Sequence, residues 1–132
     1  INSKLCVVNI RQSWINQNPF NSIFWAIQGM ASELSTGALL MYYIKKSGRK
    51  FSMLVINNKG SFFNKSRGRI TFKCNQGEEV KKTVSLAIQK SKPQKIFMSS
   101  SGIDESGQKV SEFGFEWTIL VKKWKNESKF YK

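Results

Sequence analysis

The sequence predicts an α+β domain, an antiparallel sheet wrapped around one long helix, on three observations. One apolar stretch of helical length, Asn18 to Lys46, dominates the first third of the chain. Alternating segments separated by turn residues fill most of the remainder, with Val110 to Lys123 the clearest. A second, shorter segment, Glu78 to Ser91, changes to helical spacing through Val80, Val84, Ala87 and Ile88. The order is β, long α, β, β, short α, β, β, and hairpin-linked strands beside one long helix imply α+β packing.

Taken in order, Lys4 to Arg11 alternates as a strand, with Leu5, Val7 and Asn9 on one face and Cys6, Val8 and Ile10 on the other. Gln12 to Gln17 is a polar connector. The long helix opens at Asn18-Pro19 or Asn21-Ser22, residues suited to a first turn, and runs to about Ile44. Lys45 and Lys46 fall at the negative end of its dipole, and Gly48 is the expected stop. Ile23, Phe24, Ile27, Met30, Leu34, Leu39, Leu40 and Met41 cover most of its circumference, so burial nearly all round is expected. Gln28, Glu33 and the run of Gly, Ser and Thr argue against a membrane span.

After a turn at Ser47 to Lys50, Phe51 to Asn58 is apolar on both faces, as a central strand under a helix would be. Lys59-Gly60 suggests a bulge before Ser61-Phe62-Phe63, and Asn64 to Gly68 is a basic turn. Arg69 to Asn75 points Ile70, Phe72 and Cys74 inward. Glu78 and Glu79 open the second helix, Lys90 and Lys92 lie near its end, and Pro93 closes it. Gln94 to Asp104 is a strand, Glu105 to Gln108 a hairpin turn, and the last strand turns Phe113, Phe115, Trp117, Ile119 and Val121 to one face. Trp124 to Lys132 is read as a polar, frayed tail of a single domain spanning 1–132.

The chain has 132 residues, 40% of them hydrophobic and 17 aromatic, which fits a folded domain with a real core. Its net charge of +14 makes an anionic partner plausible. Nine Lys and Arg, and no acid, lie between Ile44 and Cys74. Histidine is absent, which removes His-based triads, His general bases and His metal sites. Acid–base chemistry then falls to a carboxylate, Tyr, Lys or water. Cys6 and Cys74 lack metal-ligand spacing and are read as buried thiols in a reducing compartment. No metal or cofactor is implied, and a cytoplasmic location is expected because no leader or membrane segment is visible.

Glu33 is the only carboxylate in the first 77 residues and sits mid-helix. Ser22, Ala26, Gly29, Thr36 and Gly37 share its face, a stripe of small residues with one acid in it. Three readings stand: Glu33 pairs with a neighbouring Lys or Arg, it points into solvent at a helix edge, or it faces a ligand in space the small residues leave. In the last case apolar surroundings would raise its proton affinity. The stripe has its own alternative, which is close backbone packing.

The layout, and the residues entering the long helix, resemble the hotdog fold of acyl-CoA thioesterases. That family's segment reads approximately N-x-x-G-(S/T)-x-H-G-G, with Asp or Glu six residues on, then small residues and Gly. Asn18, Ser22 and Ile23 stand where the Asn, the Ser/Thr and the following apolar residue would, Glu33 at the acid and Gly37 at the trailing glycine. The His-Gly-Gly is Phe24-Trp25-Ala26 here, and Trp25 is bulky enough to fill the space that glycine leaves. The resemblance implies hydrolysis of an acyl-CoA or acyl-carrier thioester. Glu33 would activate water or attack the carbonyl, and Asn18 would orient water or substrate. Backbone N–H groups near Trp25 and Ala26, with Ser22 and Gly29 beside them, would hold the oxyanion and substrate. Lys59, Lys65, Arg67 and Arg69 are assigned to CoA phosphates on charge alone. The family pairs its sheets into dimers or dimers of dimers with the site at the dimer interface. The alternatives are a silent acyl-CoA-binding protein, favoured by the lost His-Gly-Gly, and a nucleic-acid-binding module, which lacks any recognised motif; Phe62, Phe63 and Phe72 are read as core.

Overall fold

The computed structural model describes residues 1–123; the tail read from Trp124 onward lies outside them. Five strands form one antiparallel sheet: β1 (Cys6–Arg11), β2 (Phe51–Phe62), β3 (Arg69–Cys74), β4 (Gln94–Ile103) and β5 (Lys109–Val121), in the order β1-β3-β4-β5-β2. Two helices, α1 (Trp25–Ser47) and α2 (Gly77–Lys90), pack on each other and on the sheet. The element order is the one the sequence predicts.

The core lies between α1 and the sheet. Ile70, Phe72 and Cys74 of β3, Ile96 and Met98 of β4, and Phe113, Phe115, Trp117 and Ile119 of β5 are buried on one face, as the alternation requires. Leu39 and Leu40 of α1 are fully buried against them, each stabilising by about 1.5–3 kcal/mol. Cys6 and Cys74 are buried, free thiols and face each other as register partners across β1 and β3. Burial pushes the Cys74 thiol up to about 11 and raises Cys6 as well. The β4–β5 hairpin turns at Gly107, whose φ of 85° suits glycine. Asp104 Oδ1 accepts from Ser106 N–H, Ser106 Oγ and Gln108 N–H there, which holds its carboxyl below the usual range.

Four expectations are corrected. The long helix begins at Trp25, not at Asn18 or Asn21, because those residues build a tight turn of their own. Asn18 Oδ1 accepts from the N–H groups of Phe20 and Ser22, and Asn21 is left-handed with φ 63°. At its other end α1 continues past Ile44 to Ser47 and stops at a left-handed Gly48, as expected. The helix is also not buried all round. Its sheet-facing side is largely small and polar: Trp117 Nε1 donates to Thr36 Oγ1 at 2.9 Å, and Ser35 Oγ lies 2.7 Å from Ser100 Oγ of β4. Gly37 lets the Trp117 ring come so near that a Cβ would sit 3.1 Å from it. The small stripe therefore serves close packing at Gly29, Thr36 and Gly37. Apolar Met30, Leu34 and Met41 are instead 65%, 56% and 50% exposed along one outer stripe.

Third, among the described residues β2 is an edge strand, not a central one under a helix, with β5 as its one partner in the sheet. Its irregularity falls between Val55 and Asn57, and the strand runs unbroken through Lys59-Gly60. Gly60 keeps its place because a Cβ there would be 2.7 Å from the Phe113 ring. Fourth, of the three phenylalanines read as core, Phe72 is fully buried whereas Phe62 and Phe63 are half exposed.

Candidate functional site

The chain between β1 and α1 is zipped to the loop between β2 and β3. Ser66 N–H donates to Ser22 Oγ at 2.8 Å, Ile23 N–H to Ser66 O at 2.9 Å, and Gly68 N–H to Gln12 Oε1 at 2.9 Å. Arg67 Nε donates to Asn21 O at 3.1 Å. Ile23 is buried as the anchor of this seam. Phe24 follows in an extended conformation as N-cap, its N–H donating to Asn16 O, and among the described residues no side chain caps α1. The N–H groups of Trp25 and Ala26 therefore open the helix without a side-chain partner, at its positive dipole end.

Beside that helix end is an open groove of about 500 Å3, of the size that holds small ligands. Phe20, Phe24, Trp25, Phe62 and Phe63 form its apolar walls, while Asn18, Ser22, Gln28 and Lys65 supply the polar groups. Trp25 is 68% exposed and stands in the wall, leaving the groove open.

No protein-family model and no curated protein matches the chain. Solved structures do match. A protein of unknown function from Pseudomonas aeruginosa, described as a probable thioesterase, superposes with TM-score 0.76 at 18% identity over 90% of this chain and 78% of its own. A protein of unknown function from Chlorobaculum tepidum gives 0.78 at 12% identity over 92% and 80%. A 1,4-dihydroxy-2-naphthoyl-CoA thioesterase from Synechocystis gives 0.60 at 8% identity over 90% and 84%. The chain has the hotdog fold.

Within this hotdog fold the candidate residues separate into groups. Asn18, Ser22 and Trp25 are brought together in the groove, with exposed Ala26 as the second residue of α1. Asn18 Oδ1 is engaged by loop N–H groups, so its Nδ2 is what it can offer a ligand. Gly29 faces Phe113 of the sheet, where a Cβ would stand 3.6 Å from the ring. Glu33 is exposed at the border of the outer apolar stripe, which selects the solvent-edge reading within one chain. It lies eight residues past Trp25, about 12 Å along the axis, and is not in the groove wall.

The basic residues divide as well. Lys65 lines the groove and Arg67 is tied to its rim at Asn21. Lys59 lies over the Phe97 ring, on the sheet face turned away from α1, and Arg69 is exposed on β3 with its N–H on Glu105. No helix among the described residues is long and apolar enough to cross a membrane.

Gln28 and the phenylalanines of the groove were not among the candidates. Gln28 is a polar residue in the most apolar part of the chain, and that mismatch was the available signal. Phe62 and Phe63 carried none, since apolar residues at a strand end fit a core equally well.

Proposed function

We propose that the chain is an acyl-CoA-type thioesterase acting as a homodimer, with each site built from two protomers. The observation that carries this reading is the uncapped start of α1 opening into an aromatic-walled groove, two helical turns from an exposed carboxylate. Two hotdog neighbours that carry thioesterase names support the chemistry. A thioester carbonyl held by the N–H groups of Trp25 and Ala26 develops its negative charge where those donors already point. Glu33 of the same chain, about 12 Å further along the helix, is out of reach of that carbonyl. The carboxylate is instead supplied by the Glu33 of a second copy.

A second copy also answers two features of the surface. Among the described residues β2 has one side of its backbone unpaired at the sheet edge, and Met30, Leu34 and Met41 form an exposed apolar stripe. Pairing two β2 edges would join the sheets and cover both.

In the reaction, Glu33 takes a proton from water as its oxygen attacks the carbonyl carbon. The tetrahedral oxyanion collapses, the C–S bond breaks, and the thiol leaves with the proton. Direct attack by Glu33, giving an anhydride that water then opens, is the other route. A thiolate leaves far more readily than an alkoxide, so the step needs no strong general acid and suits a chain lacking histidine. Asn18 Nδ2 orients water or substrate. Lys65 and Arg67 meet the CoA phosphates.

The second reading, a silent acyl-CoA binder, rests on the loss of His-Gly-Gly, whose place Phe24-Trp25-Ala26 take. Hydrolysis of short, medium and long acyl-CoAs by the wild type and by Glu33→Gln separates the two. Turnover that falls at least about a hundredfold in the variant supports the thioesterase. Turnover unchanged in the variant removes Glu33 from the chemistry. No turnover, with acyl-CoA raising the melting temperature, makes the chain a binder.

A further inference from the structure

The sheet face turned away from α1 mixes exposed apolar and basic side chains at one end. On β5, Thr118, Leu120 and Lys122 alternate with buried Trp117, Ile119 and Val121 and so share that outer face. Leu54 of β2 and Lys95 of β4 flank Thr118 as its register partners. Lys122 N–H donates to Lys50 O at 2.7 Å, which brings Lys50 to the same end. Phe97 follows Lys95 by two residues, and Lys59 Nζ lies 5.6 Å from its ring centroid. Leu54, Phe97 and Leu120 are thus exposed among Lys50, Lys59, Lys95 and Lys122, which are exposed as well.

The charge of this patch is one-sided. None of the four lysines is in an ion pair among the described residues. Glu116, the register partner of Phe97, is the carboxylate beside them. No acid at all lies in residues 34–77, 80–103 or 117–123, the segments that supply the patch. Aliphatic side chains ringed by lysine fit a bilayer surface, where lysines are drawn to anionic headgroups and the aliphatic groups enter the headgroup–acyl boundary. Nucleic acid fits less well. The Phe97 ring is taken up by Lys59 and by Gly114, whose Cβ would stand 2.3 Å from it, so it is poorly placed to stack on a base. Lysine also lacks the planar fork that reads base edges. A second copy packed face to face would set like charges together.

We propose that this end of the outer sheet face docks the protein peripherally on a bilayer surface rich in anionic phospholipid. A surface contact of this kind needs no spanning helix. The proposal goes beyond the thioesterase reading, whose groove lies at the start of α1, and is independent of it.

The experiment is co-sedimentation of the full chain with vesicles of phosphatidylcholine alone, or with about one-third phosphatidylglycerol, at low and at high salt. The unaltered protein should bind the anionic vesicles at least about a hundredfold more tightly than the neutral ones, and high salt should remove most of that gain. Lys50→Gln/Lys95→Gln/Lys122→Gln should weaken binding at least about fiftyfold, at about fivefold for each lysine. Lys4→Gln/Lys81→Gln/Lys82→Gln, equal in charge but off the patch, should weaken it by less than about fivefold. Leu54→Ser/Leu120→Ser should weaken it at least about fivefold, at high salt as at low. No vesicle binding, equal binding to neutral and anionic vesicles, or equal loss in the two lysine variants overturns the proposal. Single-stranded RNA or duplex DNA held by the same lysines, with vesicles left unbound, overturns it in favour of nucleic acid. Oligomers that dissociate in Leu54→Ser/Leu120→Ser, again without vesicle binding, overturn it in favour of a second copy. Should the leucine variant fail to fold, the two lysine variants decide.

Discussion

Thr36→Val tests the packing of α1 on the sheet. Thr36 Oγ1 donates to Glu33 O and accepts from Trp117 Nε1, both at 2.9 Å. Valine keeps the branched shape and nearly the same helix propensity, so the change is confined to the hydroxyl. The bond to Glu33 O is supplementary, since that carbonyl also serves the helix. The indole N–H, by contrast, loses its partner inside a buried contact. Stranding a buried neutral donor costs about 1–3 kcal/mol. For a chain of 132 residues each kcal/mol lowers Tm by about 3–4 °C, so a fall of about 3–12 °C is expected. Urea unfolding followed by tryptophan fluorescence measures it, with an unchanged m-value showing that the unfolded state is unaffected. In a Trp117→Phe background the valine substitution should cost less than about 0.5 kcal/mol, because the stranded donor is gone. A single variant as stable as the wild type, or an undiminished cost in the Trp117→Phe background, would refute the pairing as the source of stability.

Two glycines separate close approach from real crowding. A Cβ at Gly114 would come 2.3 Å from Phe97, and one at Gly102 would come 2.6 Å from Phe72. Phe97 is half exposed and can swing away, whereas Phe72 is fully buried. Gly102→Ala should therefore lose about 1–3 kcal/mol by chemical denaturation and Gly114→Ala within about 0.5 kcal/mol, despite the shorter contact. For the thiols, the folded protein holds its protons more tightly than the unfolded chain. Their stabilising effect is full below the ordinary value of 9.0 and is lost as pH rises towards the Cys74 value of about 11. Denaturation midpoints should fall across that window, and a Cys74→Ala variant should show a shallower fall. At pH 8 an alkylating reagent should label neither thiol until the protein unfolds.

Most strands were legible because their faces differ. Ile70, Phe72 and Cys74 alternate with Arg69, Thr71 and Lys73, and β5 alternates from Phe115 to Val121, so register and inward face follow from a period of two. Phe51 to Asn58 carries no sign of an edge position, because apolar residues on both faces suit a central strand equally well. The start of α1 was misread because Asn, Pro and Ser signal a turn as readily as a helix cap. The exposed stripe on α1 has a related cause: Met30 and Leu34 suit an interface as well as a core, and Ser32, Ser35 and Thr36 are unexpected on the inner side of a helix. At the site, Asn18, Ser22 and Trp25 were legible through their positions next to the helix start. Lys59 and Arg69 were chosen by charge, and charge carries no information about which sheet face a strand residue occupies.

The most direct test of the central account is subunit mixing. Glu33→Gln removes the carboxylate. Ala26→Pro removes one N–H of the first helical turn, where proline is tolerated because that N–H has no helical partner. Each variant alone should hydrolyse acyl-CoA poorly. If each site combines α1's start from one protomer with Glu33 from the other, mixing the two after reversible dissociation restores roughly a quarter of wild-type turnover, through heterodimers with one intact site. Equally low activity before and after mixing, with heterodimers shown to form, would contradict a site shared between protomers.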